Sequence, residues 1–171
     1  MTPDPLILTL TLDADSQAFF DAQRRRYFPA KINYLGAHLT LFHALPGAEY
    51  AAIVADLAAV AAGQPAPLPL QATGVKFMGR GVMYTLNNPD LPALHRRLQR
   101  QWAAWLTPQD GQGLRPHITV QNKVDPAVAR ALHEELAAGF QPFTAQGTGL
   151  ALWAYKGGPW ELRQQFAFGN G

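Results

Sequence analysis

The sequence predicts an α+β fold: bilobal, duplicated β-α-β-α-β-β units, with two antiparallel sheets flanking a central groove and helices on the outside. Three observations carry that expectation. Apolar residues switch repeatedly between the alternation of a strand and the three-to-four spacing of a helix. Strand-like segments are separated by Gly- and Pro-containing turns of the kind that antiparallel hairpins need. The order of elements in the first half also returns in the second when the chain is shifted by 79 residues, as an internal duplication would have it. A length of 171 residues suits one domain, residues 1–171, made of two pseudo-symmetric lobes.

Each element has its own justification. Leu6 to Leu12 alternates aliphatic residues with Thr and reads as a strand. Asp13, Asp15 and Ser16 supply acceptors for the free N–H groups of a helix start, so a helix is expected from about Asp15 to Tyr27, stopped by Pro29. A strand over His38 to His43 ends at Pro46-Gly47. Residues 48–62 place Ile53, Leu57, Val60 and Ala61 on one helical face, with Gly63 beyond the end. Leu68 to Leu86 reads as a hairpin turning near Gly79-Arg80-Gly81. Pro89-Asp90 opens a third helix whose Leu91, Leu94, Leu98, Trp102 and Trp105 form one stripe. A Gly-rich loop, Asp110 to Gly113, then leads into a strand at about His117 to Val124. Asp125-Pro126 starts a fourth helix with Val128, Leu132 and Leu136 facing inward. Strands over 143–155 and 160–168 turn at Gly157-Gly158-Pro159. In the 79-residue register the strand at 38–43 falls on 117–122, the helix at 48–62 on 127–141, the helix at 15–27 on 94–106, and the strand at 81–86 on 160–165. The 81–86 strand is expected to serve both copies.

Composition narrows the chemistry. Apolar residues make up 48% and charged residues 15%, a balance opposite to that of a disordered chain. The absence of cysteine excludes disulfide frameworks, thiolate nucleophiles, zinc ribbons and Fe–S clusters. Met1 to Asp4 shows no basic region leading into an apolar stretch, and no window holds 18 uninterrupted apolar residues. A soluble cytoplasmic domain with no membrane partner is expected. Net charge is +2, with ten Arg against four Lys. The guanidinium fork matches phosphate oxygens, but a GC-rich genome enriches Arg equally, so charge alone decides little.

The chemistry sits at the same place in each copy. Gly36-Ala37-His38-Leu39-Thr40-Leu41 in the first half answers Arg115-Pro116-His117-Ile118-Thr119-Val120 in the second. Alternate residues of a strand share a face, so His38 points with Thr40 and His117 with Thr119. Lobes related by a pseudo-twofold would set the two pairs across a groove from each other. Two imidazoles flanking a phosphate can act as general base and general acid in an in-line displacement, because an unperturbed pKa near about 6.5 makes both states accessible. The threonine hydroxyls can donate to the non-bridging oxygens. Charge handled this way needs no metal and no cofactor.

These paired motifs, separated by about half the chain, resemble the two signatures of the 2H phosphoesterase superfamily. The flanking stretches Leu39-Thr40-Leu41-Phe42-His43-Ala44-Leu45-Pro46 and Arg115-Pro116-His117-Ile118-Thr119-Val120-Gln121 are similar to its bacterial 2'-5' RNA ligase (RNA cyclic phosphodiesterase) branch. A single H-x-T carries almost no information; two of them inside a duplicated unit carry much more. The resemblance covers essentially the whole chain. It implies a bilobal fold with a water-filled groove, and a phosphodiesterase that opens 2',3'-cyclic phosphates at RNA or nucleotide ends to 2'-phosphates. Some members run RNA ligation in the reverse sense. By position, His38 and His117 would be the catalytic pair and Thr40 and Thr119 the phosphate holders, with either histidine as base. The implied partner is an RNA terminus or a small cyclic nucleotide, met by a monomer.

Neighbouring residues extend the candidate site. Strand parity adds Arg115, Gln121 and Lys123 on the second motif's face, with Arg115 and Lys123 read equally well as solvated strand-end cations, and Phe42 on the first's, either as a stacking surface or as core packing. Arg80 is expected to touch substrate from a hairpin tip; Tyr84, Trp153 and Tyr155 either line a nucleobase pocket or, as is more usual for strand aromatics, pack in the core. His43 has the opposite parity to His38, which argues against a shared metal site. His95 and His133 are expected on the surface, and Arg24, Arg25 and Arg26 in solvent. Two rival readings stand beside the main one. One is an RNA-end or nucleotide binding module with little turnover. The other is an enzyme of the same type for a different phosphodiester, such as a 2',5'-linked oligonucleotide.

Overall fold

A computed structural model of the chain describes residues 2–169. Strand β1 (Leu6–Leu12) is followed by helix α1 (Ala14–Tyr27), β2 (Leu39–Leu45), α2 (Tyr50–Gly63), β3 (Leu68–Phe77), β4 (Val82–Asn87), α3 (Leu91–Gln101), β5 (His117–Gln121), α4 (Pro126–Ala138), β6 (Phe143–Tyr155) and β7 (Trp160–Ala167). The starts of the helices follow from local chemistry. The Asp13 carboxylate accepts the Ser16 N–H at 3.1 Å at the start of α1, and Pro126 occupies the first turn of α4 behind Asp125. Among the described residues no helix is long and apolar enough to cross a membrane.

All seven strands are antiparallel and belong to one connected, curled sheet, in the order β2-β1-β6-β3-β4-β5 with β7 also on β6. The two expected sheets are its two halves. Strand β6 joins them: residues 147–154 pair with β1, residues 149–155 with β7, and residues 143–147 with β3. One half is therefore β2-β1-β6-β7 and the other β6-β3-β4-β5. The strand that serves both halves is β6, and not the 81–86 strand expected from the sequence. That segment is β4, paired only with β3 and β5. Where β6 passes between the halves it carries Gly147, which pairs with both Leu12 and Leu68, and Gly149, whose missing Cβ leaves room for the Phe166 carbonyl of β7.

Elements also cross between the halves. Helix α1, which follows β1 in the chain, lies on β5 of the other half. There Arg24 donates to the Thr119 carbonyl at 3.0 Å. Helix α3, which follows β4, packs back on β2: His95 stacks on Phe42, and Trp102 packs edge-on to Phe42 and donates to Asp56 of α2. Helix α2 covers β6 and β7, and α4 covers β3 and β4. One apolar cluster runs through both halves, from Leu8, Leu39 and Phe42 to Tyr84, Ile118 and Val120. The expected surface positions of three residues are corrected here. Arg24 is 4% exposed and His95 3% exposed, while half-buried His133 donates to the Val75 carbonyl and ties α4 to β3.

Candidate active site

Both motif histidines stand at the entry to a strand and are held in the same way. His38 immediately precedes β2, and its Nδ1 bonds the Gly36 carbonyl at 2.8 Å. His117 opens β5, and its Nδ1 bonds the Arg115 carbonyl at 2.7 Å. Each ring thus commits Nδ1–H to the backbone two residues earlier, which fixes the tautomer and leaves Nε2 free. The approaches to the strands are themselves pinned. Asp21 of α1 accepts the Ala37 N–H at 2.7 Å, Gln17 donates to the Ala37 carbonyl at 2.8 Å, and Leu86 N–H bonds the Pro116 carbonyl on the other side.

The rings are near enough to sense each other's charge. Burial is the largest influence on His38 and lowers its pKa; Arg24, His117 and His43 push the same way against the Gly36 hydrogen bond. His38 is therefore neutral at neutral pH.

Two cavities flank the pair. One, of about 410 Å³, is lined by His38, Gly36, Tyr34, Trp153, Trp160 and Gln165, among others. Trp160 lies 4.7 Å from the His38 ring and 6.0 Å from Trp153, and Trp153 is oriented by its bond to the Thr9 hydroxyl at 2.9 Å. The other cavity, of about 250 Å³, is lined by Thr40, His43, Gln109, Asp110, Arg115 and His117, among others. Thr119 is half-buried beside them on β5 and lines neither cavity.

Of the residues expected around the pair, Arg115 and Trp153 are at the cavities. Phe42 is not: it is wholly buried against His95 and Trp102. Tyr84 is 5% exposed in an aromatic cluster with Phe19, Phe20 and Phe143, its hydroxyl donating to Gln23. Gln121 is buried. Lys123 is exposed beyond the end of β5, with a left-handed backbone (φ 61°). Arg80 donates to the Val124 carbonyl at the far end of β5 from His117. Tyr155 is exposed and lines neither cavity.

One irregularity accounts for the errors of parity. After Thr40, β1 advances from Thr9 to Leu8 while β2 advances from Thr40 to Phe42. After Thr119, β4 advances from Met83 to Val82 while β5 advances from Thr119 to Gln121. Each motif strand carries one extra residue directly after its threonine, a β-bulge that reverses the facing of the residues just beyond it; β2 has a second irregularity between Phe42 and Leu45. Phe42 and Gln121 thereby turn inward, and His43 turns into the cavity beside Thr40. Sequence parity missed His43, Trp160 and Tyr34. The Gly157-Gly158-Pro159 turn, which sets Trp160 opposite Tyr155, was the signal available for Trp160.

A curled antiparallel sheet of two halves, with a matched pair of tethered imidazoles at the entries to β2 and β5, points to the class of the protein. The family model of the 2'-5' RNA ligase superfamily matches residues 12–159, and the chain belongs to that superfamily, the 2H phosphoesterases. No curated protein matches it in sequence. Among solved structures it is similar to TT0787 of Thermus thermophilus, with TM-score 0.68 and 16% identity over 96% of this chain and 98% of that one. It is also similar to E. coli LigT complexed with 3'-AMP, with TM-score 0.64 and 22% identity over 97% and 98% of the two chains. A structure described as a phosphoesterase aligns with TM-score 0.60 and 20% identity over 97% and 98%. At these identities the likeness is one of fold.

Proposed function

We propose that this chain is a metal-independent phosphodiesterase that opens 2',3'-cyclic phosphates at RNA or nucleotide ends to 2'-phosphates. The observation that carries this reading is the matched tethering of His38 and His117 through Nδ1, which leaves two Nε2 atoms to share one phosphate. His38, kept neutral by burial and by neighbouring cations, takes a proton from the attacking water as oxygen bonds to phosphorus. The P–O3' bond breaks, and protonated His117 gives its proton to the departing O3'. The products are a 2'-phosphate and a free 3'-hydroxyl. Thr40, at the cavity wall, and Thr119 donate to the non-bridging oxygens as negative charge grows there. Trp153, Trp160 and Tyr34 offer faces on which a nucleobase can stack. The complex of LigT with 3'-AMP accords with a nucleotide-sized site on this fold.

The test is hydrolysis of 2',3'-cyclic AMP and of a short RNA ending in a 2',3'-cyclic phosphate, both in EDTA, with 2'- and 3'-phosphate products resolved. Wild type is expected to yield the 2'-phosphate, and the His38→Ala/His117→Ala double variant to lose at least about 10²–10⁴-fold while staying folded. Activity that disappears in EDTA and returns with a divalent ion would refute the metal-free mechanism. Equal turnover by the double variant would refute the histidine pair.

A further inference from the structure

The cavity on the His117 side is built around a carboxylate that the hydrolytic reading leaves without a task. Asp110 sits in the Gly-rich loop with its side chain wholly buried. It accepts three hydrogen bonds from β2: the His43 N–H at 2.7 Å, the Ala44 N–H at 2.9 Å and the His43 ring Nδ1–H at 3.2 Å. Burial by itself would raise its pKa. The His43 ring and the two backbone amides outweigh that and bring it below the usual carboxylate range, so the group is an anion at neutral pH. With Nδ1 committed to Asp110, His43 presents its Nε2 edge at the cavity, and its side chain is 43% exposed.

The surroundings suit a phosphate and not a base. Arg115, Gln109 and Gln112 line the same space, which carries no aromatic ring besides imidazoles and no carboxylate besides Asp110, whose oxygens are taken up by the bonds from His43 and Ala44. Across the Gly-rich loop lies a groove of about 550 Å³ whose wall holds Arg96 and Arg100, with no acidic side chain among its lining residues. These two arginines are four residues apart on α3 and share a helix face. Gln99, on the same wall, donates to the Asp110 and Gln112 carbonyls at 2.9 and 2.7 Å and pins the loop between the two spaces.

We propose that these two spaces form a strand-binding path, in which His43, held by Asp110, and Arg115 take the 5'-phosphate of the terminal nucleotide, and Arg96 and Arg100 take phosphates further along an RNA strand. The inference rests on the chemistry proposed at His38 and His117. In this path the base of a cyclic nucleotide lies in the cavity that His38 shares with Trp160, and the 5' end of its nucleoside lies in the one that His117 shares with His43. The substrate is then the end of a strand, and a free cyclic mononucleotide engages only part of the site. Charge-assisted bonds to phosphate are the stronger kind, and each neutralised phosphate adds to the salt dependence of binding.

Binding separates the two claims, with three probes in EDTA: adenosine 2'-phosphate, adenosine 2',5'-bisphosphate, and an RNA pentamer ending in a 2'-phosphate. Wild type is expected to prefer the bisphosphate to the monophosphate by about tenfold, the size of one good charge-assisted contact. His43→Gln should shrink that ratio severalfold, and Arg115→Gln should do the same. R96Q/R100Q should weaken the pentamer and lower its log–log salt slope by about one to two. Equal affinity of wild type for the mono- and bisphosphate, or an undiminished ratio in His43→Gln, overturns the path. If 2',3'-cyclic AMP is opened while the ratio is one, only the path fails. If nothing is opened and neither nucleotide binds, both readings fail.

Discussion

At the scale of single residues, the groove is specified by what each ring does with its second nitrogen. His38 and His117 commit Nδ1 to backbone carbonyls, and His43 commits it to Asp110. Three Nε2 edges remain for ligand, each with its tautomer set by a neighbour that substrate does not displace. Trp160 has a double part, packing on His38 at 4.7 Å while presenting its own face to the larger cavity. Stacking of a base on an aromatic ring is worth about 1–3 kcal/mol, so Trp160→Ala should weaken adenosine 2'-phosphate binding by about tenfold. Trp160→Phe should recover most of that loss. Isothermal titration of the three proteins checks this, and unchanged affinity in Trp160→Ala would remove the aromatic cavity from the binding site.

At the scale of elements, the two bulges separate what the sequence made legible from what it concealed. The order, type and approximate bounds of every strand and helix could be read from periodicity and turn residues, and so could the paired motifs that open β2 and β5. Side-chain facing beyond each threonine could not, because a bulge is fixed by hydrogen-bonding partners on other elements and leaves no mark on local periodicity. His95 illustrates this. The extra residue after Thr40 in β2 is Leu41, and its carbonyl is taken by His95 Nε2–H from α3 at 3.0 Å. A histidine among charged neighbours on a helix thus belongs to the core. Its other nitrogen has no partner and is buried, so a second proton would be stranded there. Burial is the main cause that lowers its pKa; Arg96 and His43 add to it, against the Leu41 bond and Asp110. An unfolded imidazole binds its proton near pH 6.5, whereas folded His95 and His38 bind theirs only at lower pH. Between those limits the unfolded chain holds more protons, so stability falls as pH drops below about 6.5. Urea unfolding at pH 7.5 and 5.5 should show that loss in wild type. His95→Gln, which keeps a donor for Leu41, should show a smaller one, and an equal loss in both would mean that His95 does not carry it.

At the scale of the whole molecule, the exchange of elements between the two halves ties the site to global stability. Neither half is built from a continuous stretch of chain. The first half takes in α3 and the C-terminal part of β6, while the second takes in α1 and shares the start of β6. Arg24 crosses from α1 to the Thr119 carbonyl and also bonds the Asn33 side chain that leads toward His38, so one buried guanidinium links the approach to one motif with the backbone of the other. A duplicated sequence invites the expectation of two domains that melt separately. Here a single apolar cluster spans both halves, and opening either one would strand part of β6 and a helix of the other. Unfolding should therefore be a single cooperative transition. All four tryptophans lie at positions 102, 105, 153 and 160, two of them just after the end of α3 and the others on β6 and β7, so their fluorescence follows the first half alone. Amide exchange in β3, β4 and β5 follows the second. The two signals should give the same midpoint and the same unfolding free energy in urea. Loss of protection in β4 and β5 at a lower denaturant concentration than the fluorescence change would show that the halves are energetically separate, and that the distance between His38 and His117 is set by a hinge and not by a shared core.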